Sequence, residues 1–342
     1  MCKSVRIKPF CRGTLNKKGY MCTAVKINGN RNLFGRTLDV EASYGEKIII
    51  SKREYDFKFS IKKDCGFHYA ILGMGCVADG YPLYFDAINE KGLAVAALSF
   101  IGNAVYGEKE EGRYNVASFE FIPWILSNCQ SIAEAKELIS GTNITSDSFS
   151  PDMPPTALHF IVADKEGSIT IESVKDGIRV YENPLGVLTN NPTFDYHLAN
   201  AAAYMYLDSR QSKNTIAPDV KLEHTSRGMG AFGMPGDYSS QSRFVRALFV
   251  KNHIDSIEDD GEVSRFFHAM DSVKVPYGCV FNEKGEKTYS VYTSCMDMER
   301  IVYYFTTYES RRIRAVSLFE HGVVGSGILV FDAKDKESIA FI

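Results

Sequence analysis

Apolar positions along the first third of the chain come in short runs broken by charge, at 48–50, 57–61 and 69–74. Such runs are too short for helices and read as strands. Two earlier strand-like runs flank Asn28-Gly29, a pair that tolerates the positive φ angles of a tight hairpin, so the second run folds back on the first. Residues 78–82 read as a loop, and 86–93 as a turn entering a buried strand over 93–100. The period then changes. Phe119, Ile122, Trp124, Ile125 and Leu126 form the stripe of a helix starting at Asn115 or Ser118, and Ser131 with Glu134 forms a capping box opening a helix to Ile139, closed by Gly141. Strands return at 157–163, 168–172, 178–181 and 186–188, helices near 239–251 and 262–273, and strands at 287–295, 301–308 and 313–319. Strands, paired helices and further strands predict an α+β layered fold. No linker or repeat divides the chain, which reads as a single domain over 22–342.

Composition agrees: 342 residues, 45% apolar and 24% charged, can bury a sizeable core. No run of 18 apolar residues occurs, so no membrane helix is expected. The eight cysteines contain no Cys-x-x-Cys pair, which argues against a structural zinc site or a disulfide framework and for a reducing compartment. Residues 1–20 carry six basic side chains and no acidic one, leaving 33 Lys and Arg against 42 Asp and Glu in the rest. This leader lacks the apolar centre of a secretory signal. Without aromatic interleaving its charge does not point to nucleic acid. A start codon placed too early, a propeptide removed before Cys22, and a retained extension all remain open readings of it.

The chemistry-bearing stretch is the hairpin, which sets Cys22, Arg36 and Asp39 within eighteen positions. A cation beside a cysteine favours the thiolate; a buried structural cysteine is the other reading of this stretch alone. Met21-Cys22-Thr23-Ala24, followed by Leu33-Phe34-Gly35-Arg36-Thr37-Leu38-Asp39, resembles the start of the choloylglycine hydrolase family, cysteine-type N-terminal nucleophile hydrolases that include bile salt hydrolases and penicillin V acylases. Asn89-Glu90-Lys91-Gly92-Leu93, the 186–195 segment around Asn190, and the 236–244 segment around Arg243 follow in the family's order.

The resemblance implies the four-layer αββα sandwich of N-terminal nucleophile hydrolases and a chain that matures with Cys22 first. Its α-amine would be the base for its own thiol, a logic shared with N-terminal threonine enzymes. Asp39 would orient the α-ammonium, Arg36 would lower the thiol pKa and touch substrate, Asn190 would hold the oxyanion, and Arg243 would tie the site together. No metal or cofactor is implied; the partner is a conjugated bile acid, without nucleic acid or membrane. The region from about 200 to 230 looks like the insertion through which cytoplasmic members form homotetramers. Expected substrate contacts are Arg36, Leu38, Val77, Ala78, Ser99 and Phe100, within loops at 74–84 and 99–107 that also carry Tyr81, Ile101, Ala104 and Val105.

Ser99 stands where bile salt hydrolases usually show asparagine, and Ala78 where an aromatic often lines the pocket. Hydrolysis of glycine- or taurine-conjugated bile acids is the leading expectation, with penicillin V acylase sharing every catalytic residue. A papain-like hydrolase is disfavoured because none of the seven histidines sits in a recognisable signature. A non-catalytic binding protein with Cys22 masked by the leader is the alternative outside the enzymes.

Overall fold

Residues 28–32 turn the chain in a loop wider than the tight hairpin expected, with neither Asn28 nor Gly29 at positive φ; Met21–Ile27 and Leu33–Val40 pair antiparallel, with Cys22 opposite Leu38 and Ala24 opposite Arg36. The computed structural model describes residues 20–60, 68–257 and 261–342. This hairpin lies in a seven-stranded antiparallel sheet ordered Val187–Leu188, Met21–Ile27, Leu33–Val40, Lys287–Asp297, Val302–Thr307 and Arg314–Ser317, with Val280–Phe281 added to Lys287–Asp297. Gly35 is required where two of these strands meet, because a Cβ there would lie 2.0 Å from the Ser294 carbonyl oxygen.

The second sheet has eight strands, ordered Gly177–Glu182, Ser168–Val174, Leu158–Ala163, Ala94–Ser99, Tyr81–Asn89, Ile71–Ala78, Lys47–Ser51 and Ile328–Asp332. Between the sheets lies an apolar core that includes Leu38, Val40, Leu72, Met74, Ala96 and Leu98. The opposite face of the eight-stranded sheet packs its alternate residues, such as Ile71, Val95 and Val162, against helix Phe121–Asn128. Helices Ser240–His253 and Glu262–Asp271 cover the outer face of the seven-stranded sheet. Two sheets face to face, each backed by helices, make the expected αββα sandwich. Strands that alternate between two buried faces explain why their sequences are apolar almost throughout.

Four differences from the sequence reading have physical causes. Residues 57–60 are not a strand: Lys58 takes φ 47°, which breaks an extended run, and Phe57 instead stacks on Phe59 at 5.3 Å. Asp86 to Asn89 belong to strand Tyr81–Asn89, and the turn is confined to the following residues, where Gly92 has φ +90° and a Cβ would lie 2.4 Å from the Met298 carbonyl. Helix Phe194–Ala202 carries no clear apolar stripe because only Phe194 and His197 are buried along it. The short parallel pair Tyr114–Ala117 and Thr142–Thr145, and the edge strand Ile328–Asp332, depend on distant partners and leave little local pattern. Residues 1–19 of the basic leader and Ile61 lie outside the described residues.

Candidate active site

Sheet register places the first three site residues. Cys22, Arg36 and Asp39 are almost fully buried on the paired strands of the first hairpin, with Met21 opposite Asp39. The Arg36 Nε donates to the Thr37 carbonyl at 2.9 Å and Nη1 to the Ala97 carbonyl at 2.9 Å, while Nη2 is buried without a hydrogen-bond partner among the described residues. Two guanidinium nitrogens are therefore anchored, and Arg36 and Cys22 line the same cavity. Asp39 accepts from Ser290 Oγ at 2.6 Å and from Thr37 Oγ1 at 3.1 Å.

Asn190 arrives from the neighbouring strand, since Val187–Leu188 pairs with Val25 and Ala24. Its Oδ1 accepts from the Cys22 backbone nitrogen and from Arg243 Nη2, each at 2.8 Å. Two donors at one oxygen fix which way the amide points. Nδ2 accordingly donates to the Ser99 carbonyl at 2.9 Å. Ser239 caps helix Ser240–His253 by accepting from the Ser242 backbone nitrogen, and Arg243 follows in that helix. A cation near a helix N-terminus works against the macrodipole. Here its guanidinium is held by neutral oxygens: Nη1 donates to the Cys22 carbonyl at 2.5 Å and to Thr23 Oγ1 at 2.6 Å, and Nε to the Tyr238 carbonyl at 3.0 Å. Arg243 thus joins Cys22, Thr23 and Asn190.

The Cys22 thiol lies above its ordinary range because burial outweighs the pull of Arg36 and Arg243 towards the thiolate; Arg36 acts in the expected direction but does not win. The Cys22 nitrogen is gripped by Asn190, whereas the Asp39 side chain is engaged by Ser290 and Thr37. Burial also raises Asp39 and lowers Arg243 from their ordinary values, against the attraction between them.

A cavity of about 410 Å³ opens over Cys22 and Arg36. Leu38 and Ser99 line it as expected; Val77, Ala78 and Phe100 do not, nor do Tyr81, Ile101, Ala104 and Val105. Side chains alternate along a strand, so Cys76 faces the cavity while Val77 packs with the core on the far side of its sheet. Phe100 is buried in a stack with His159, ring centroids 4.2 Å apart. The lining that sequence reasoning missed includes Tyr20 with Tyr44 and Phe85, Ser118 with Phe119 and Phe149, the 153–158 segment, and the turn containing Asn282 and Lys284. Asn282 to Glu286 carries a local turn signal, but nothing in the sequence places that turn near Cys22.

The family model for linear amide C–N hydrolases, choloylglycine hydrolase family, matches residues 22–336. A bile salt hydrolase/transferase of Lactiplantibacillus plantarum is 44% identical over 299 residues, covering 87% of this chain and 92% of that protein. One of Clostridium perfringens is 35% identical over 325 residues, covering 93% and 99%. The crystal structure of a mutant conjugated bile acid hydrolase from Clostridium perfringens superposes with a TM-score of 0.85 at 33% identity, covering 94% of this chain and all of that one. Penicillin V acylase from Agrobacterium tumefaciens shares the fold at a TM-score of 0.71 and 19% identity, with 91% of each chain covered.

Proposed function

This chain belongs to the choloylglycine hydrolase family of linear amide C–N hydrolases, and from that premise we propose that Cys22 cleaves the amide of glycine- and taurine-conjugated bile acids. The observation that carries the reading is the meeting of Cys22, Arg36, Asn190 and Arg243 beside one largely apolar cavity, with Asp39 behind them. A volume of about 410 Å³ is in the range that holds a drug-sized ligand.

In the proposed cycle the Cys22 sulfur attacks the amide carbonyl as its α-amine takes the thiol proton. The charge on the carbonyl oxygen is met by the Asn190 amide and by the backbone N–H of Ser99. The ammonium, oriented by Asp39, then protonates the departing nitrogen of glycine or taurine. The thioester left on Cys22 is hydrolysed when the same amine activates water. Near neutral pH this proton traffic is cheap, because an α-amine and a thiol have reference pKa values of about 8 and 8.5. Arg36 favours the thiolate against the cost of burial, and its vacant Nη2 suits a polar group of the substrate. The names of the two curated relatives also carry "transferase"; an amine attacking the thioester in place of water would be that reaction here.

The same reading extends to a cytoplasmic homotetramer. It is supported by Met205, Tyr206, Ile216, Val220 and Leu222, all exposed between residues 200 and 230. Among the described residues no helix is long and apolar enough to cross a membrane. The deciding experiment incubates protein with Cys22 as its first residue with glycocholate and taurocholate. Release of the free amino acid that disappears in Cys22→Ala supports the reading, and no release from the unaltered protein overturns it.

A further inference from the structure

The two expected oxyanion donors stand at the ends of strands in different sheets. Ser99 closes Ala94–Ser99 in the eight-stranded sheet, whereas Asn190 follows Val187–Leu188 in the seven-stranded sheet. One buried side chain touches the residues adjoining both. His159, on Leu158–Ala163, is fully buried; its ring stacks on Phe100 with centroids 4.2 Å apart and planes 9° apart, and its Nε2 lies 2.9 Å from the Thr189 carbonyl oxygen. Its Nδ1 lies 3.2 Å from Glu172 Oε1, which also accepts the Phe194 backbone N–H at 3.0 Å.

Hydrogen-bond bookkeeping assigns the ring. A carbonyl oxygen can only accept, so Nε2 carries a proton. The line from Nδ1 to Glu172 then needs one more, because a nitrogen lone pair and a carboxylate oxygen would otherwise repel. Glu172, itself fully buried, thereby holds the plane of the ring. The ring in turn fixes Phe100, next to Ser99, and Thr189, next to Asn190.

We infer that His159, oriented by Glu172, is a positioning residue for amide cleavage: by holding Phe100 and Thr189 it buttresses from behind the direct contact in which Asn190 Nδ2 donates to the Ser99 carbonyl at 2.9 Å. The inference rests on the reading of Asn190 and Ser99 as oxyanion donors given above. Donors that only stabilise the transition state affect kcat more than KM, and small misplacements of such groups are costly.

His159→Phe keeps a flat ring against Phe100 and removes the bond to Thr189. In enzyme starting at Cys22 it is expected to lower kcat roughly ten- to a hundredfold while KM changes less than about threefold. His159→Gln, whose amide nitrogen reaches the place of Nε2, should recover most of the loss. Glu172→Gln should lower kcat in the same way, and the double variant should be no worse than His159→Phe. If His159→Phe fails to fold, Glu172→Gln carries the test. Wild-type kcat in either folded variant, a loss confined to KM, or His159→Gln no better than His159→Phe overturns the inference. Asn190→Ala run alongside separates the levels: if it is fully active the oxyanion reading fails, and if it alone is impaired only the role of His159 fails.

Discussion

The backbone nitrogen of Cys22 donates to Oδ1 of Asn190 at 2.8 Å across 168 positions of sequence. The atom that would act as base is thus held by the side chain that would stabilise the oxyanion. While Met21 is attached that nitrogen is an amide and cannot take a proton. Chain beginning at Cys22 should therefore hydrolyse conjugated bile acids, and chain shown by intact mass to retain residues 1–21 should not. Equal rates from the two would sink the α-amine mechanism.

Cys22→Ala should abolish hydrolysis without unfolding the protein, since it removes one small buried atom. Cys22→Ser should retain little, because an alcohol is far less acidic than a thiol. Circular dichroism checks the fold, and more than a tenth of wild-type activity in Cys22→Ala would remove the nucleophile assignment.

Burial raises the Cys22 thiol and Arg36 opposes it. Arg36→Gln deletes the opposing charge, so the thiolate should form only at higher pH. The pH midpoint of Cys22 alkylation by iodoacetamide, followed by mass spectrometry, should move upward, with kcat down by orders of magnitude. An unmoved midpoint would show that the charge of Arg36 does not reach the sulfur.

His197 is fully buried, stacks on Phe244 at 4.8 Å and bonds the Asn190 carbonyl through Nε2 at 2.9 Å. Burial pushes its pKa down to about 4, against about 6.5 in unfolded chain. Between those values the unfolded state binds a proton that the folded state refuses, so stability is lost as pH falls from about 6.5 through 4. The loss attributable to this group is on the order of 3 kcal/mol. His197→Gln should lose less stability than wild type between pH 7 and pH 4.5 in denaturant titrations; an identical loss would clear His197 of the effect.

Glycine and taurine conjugates should be cleaved with kcat/KM within about tenfold of one another, equivalent to about 1.4 kcal/mol, and both ahead of penicillin V. The apolar walls set by Leu38, Val40, Leu83 and Phe119 suit a broad rigid acyl group, where burying on the order of 100 Å² contributes about 2.5 kcal/mol. Ser99 is shorter than asparagine, so any contact it makes with the amino-acid head group would be weaker by about 1 kcal/mol. Faster clearance of penicillin V by purified enzyme would favour the acylase reading.

Residue patterns alone point to the hairpin and an α+β layered fold, because strand runs and turn residues are local signals; the αββα sandwich and the grouping of Cys22, Arg36, Asp39, Asn190 and Arg243 are legible only through the resemblance of the ordered motifs to the choloylglycine hydrolase family. The cavity wall could be read from neither. Val77 and Cys76 are neighbours in sequence yet face opposite sides of one sheet, and an apolar run gives no sign of which side is which. The turn with Asn282 and Lys284 is brought to the hairpin by the pairing of Val280–Phe281 and Leu33–Val40 with the same strand, and Asn282 Nδ2 donates to Glu41 Oε1 at 3.2 Å; these partners are far apart in sequence. The burial that raises the Cys22 thiol is likewise a property of packing, invisible to a count of nearby charges.

The Met21–Cys22 bond lies inside a ladder already formed with Asp39 and Leu38, and this bears on the timing of biosynthesis. A peptidase reads its target as a free extended segment in its own cleft, and a paired strand in a closed sandwich does not offer one. If residues 1–21 are trimmed by another enzyme, the cut would belong to the interval before the first hairpin zips shut against Lys287–Asp297, strands separated by some 250 residues of synthesis. A chain that misses that interval would have to loosen its first strand before it could be cut.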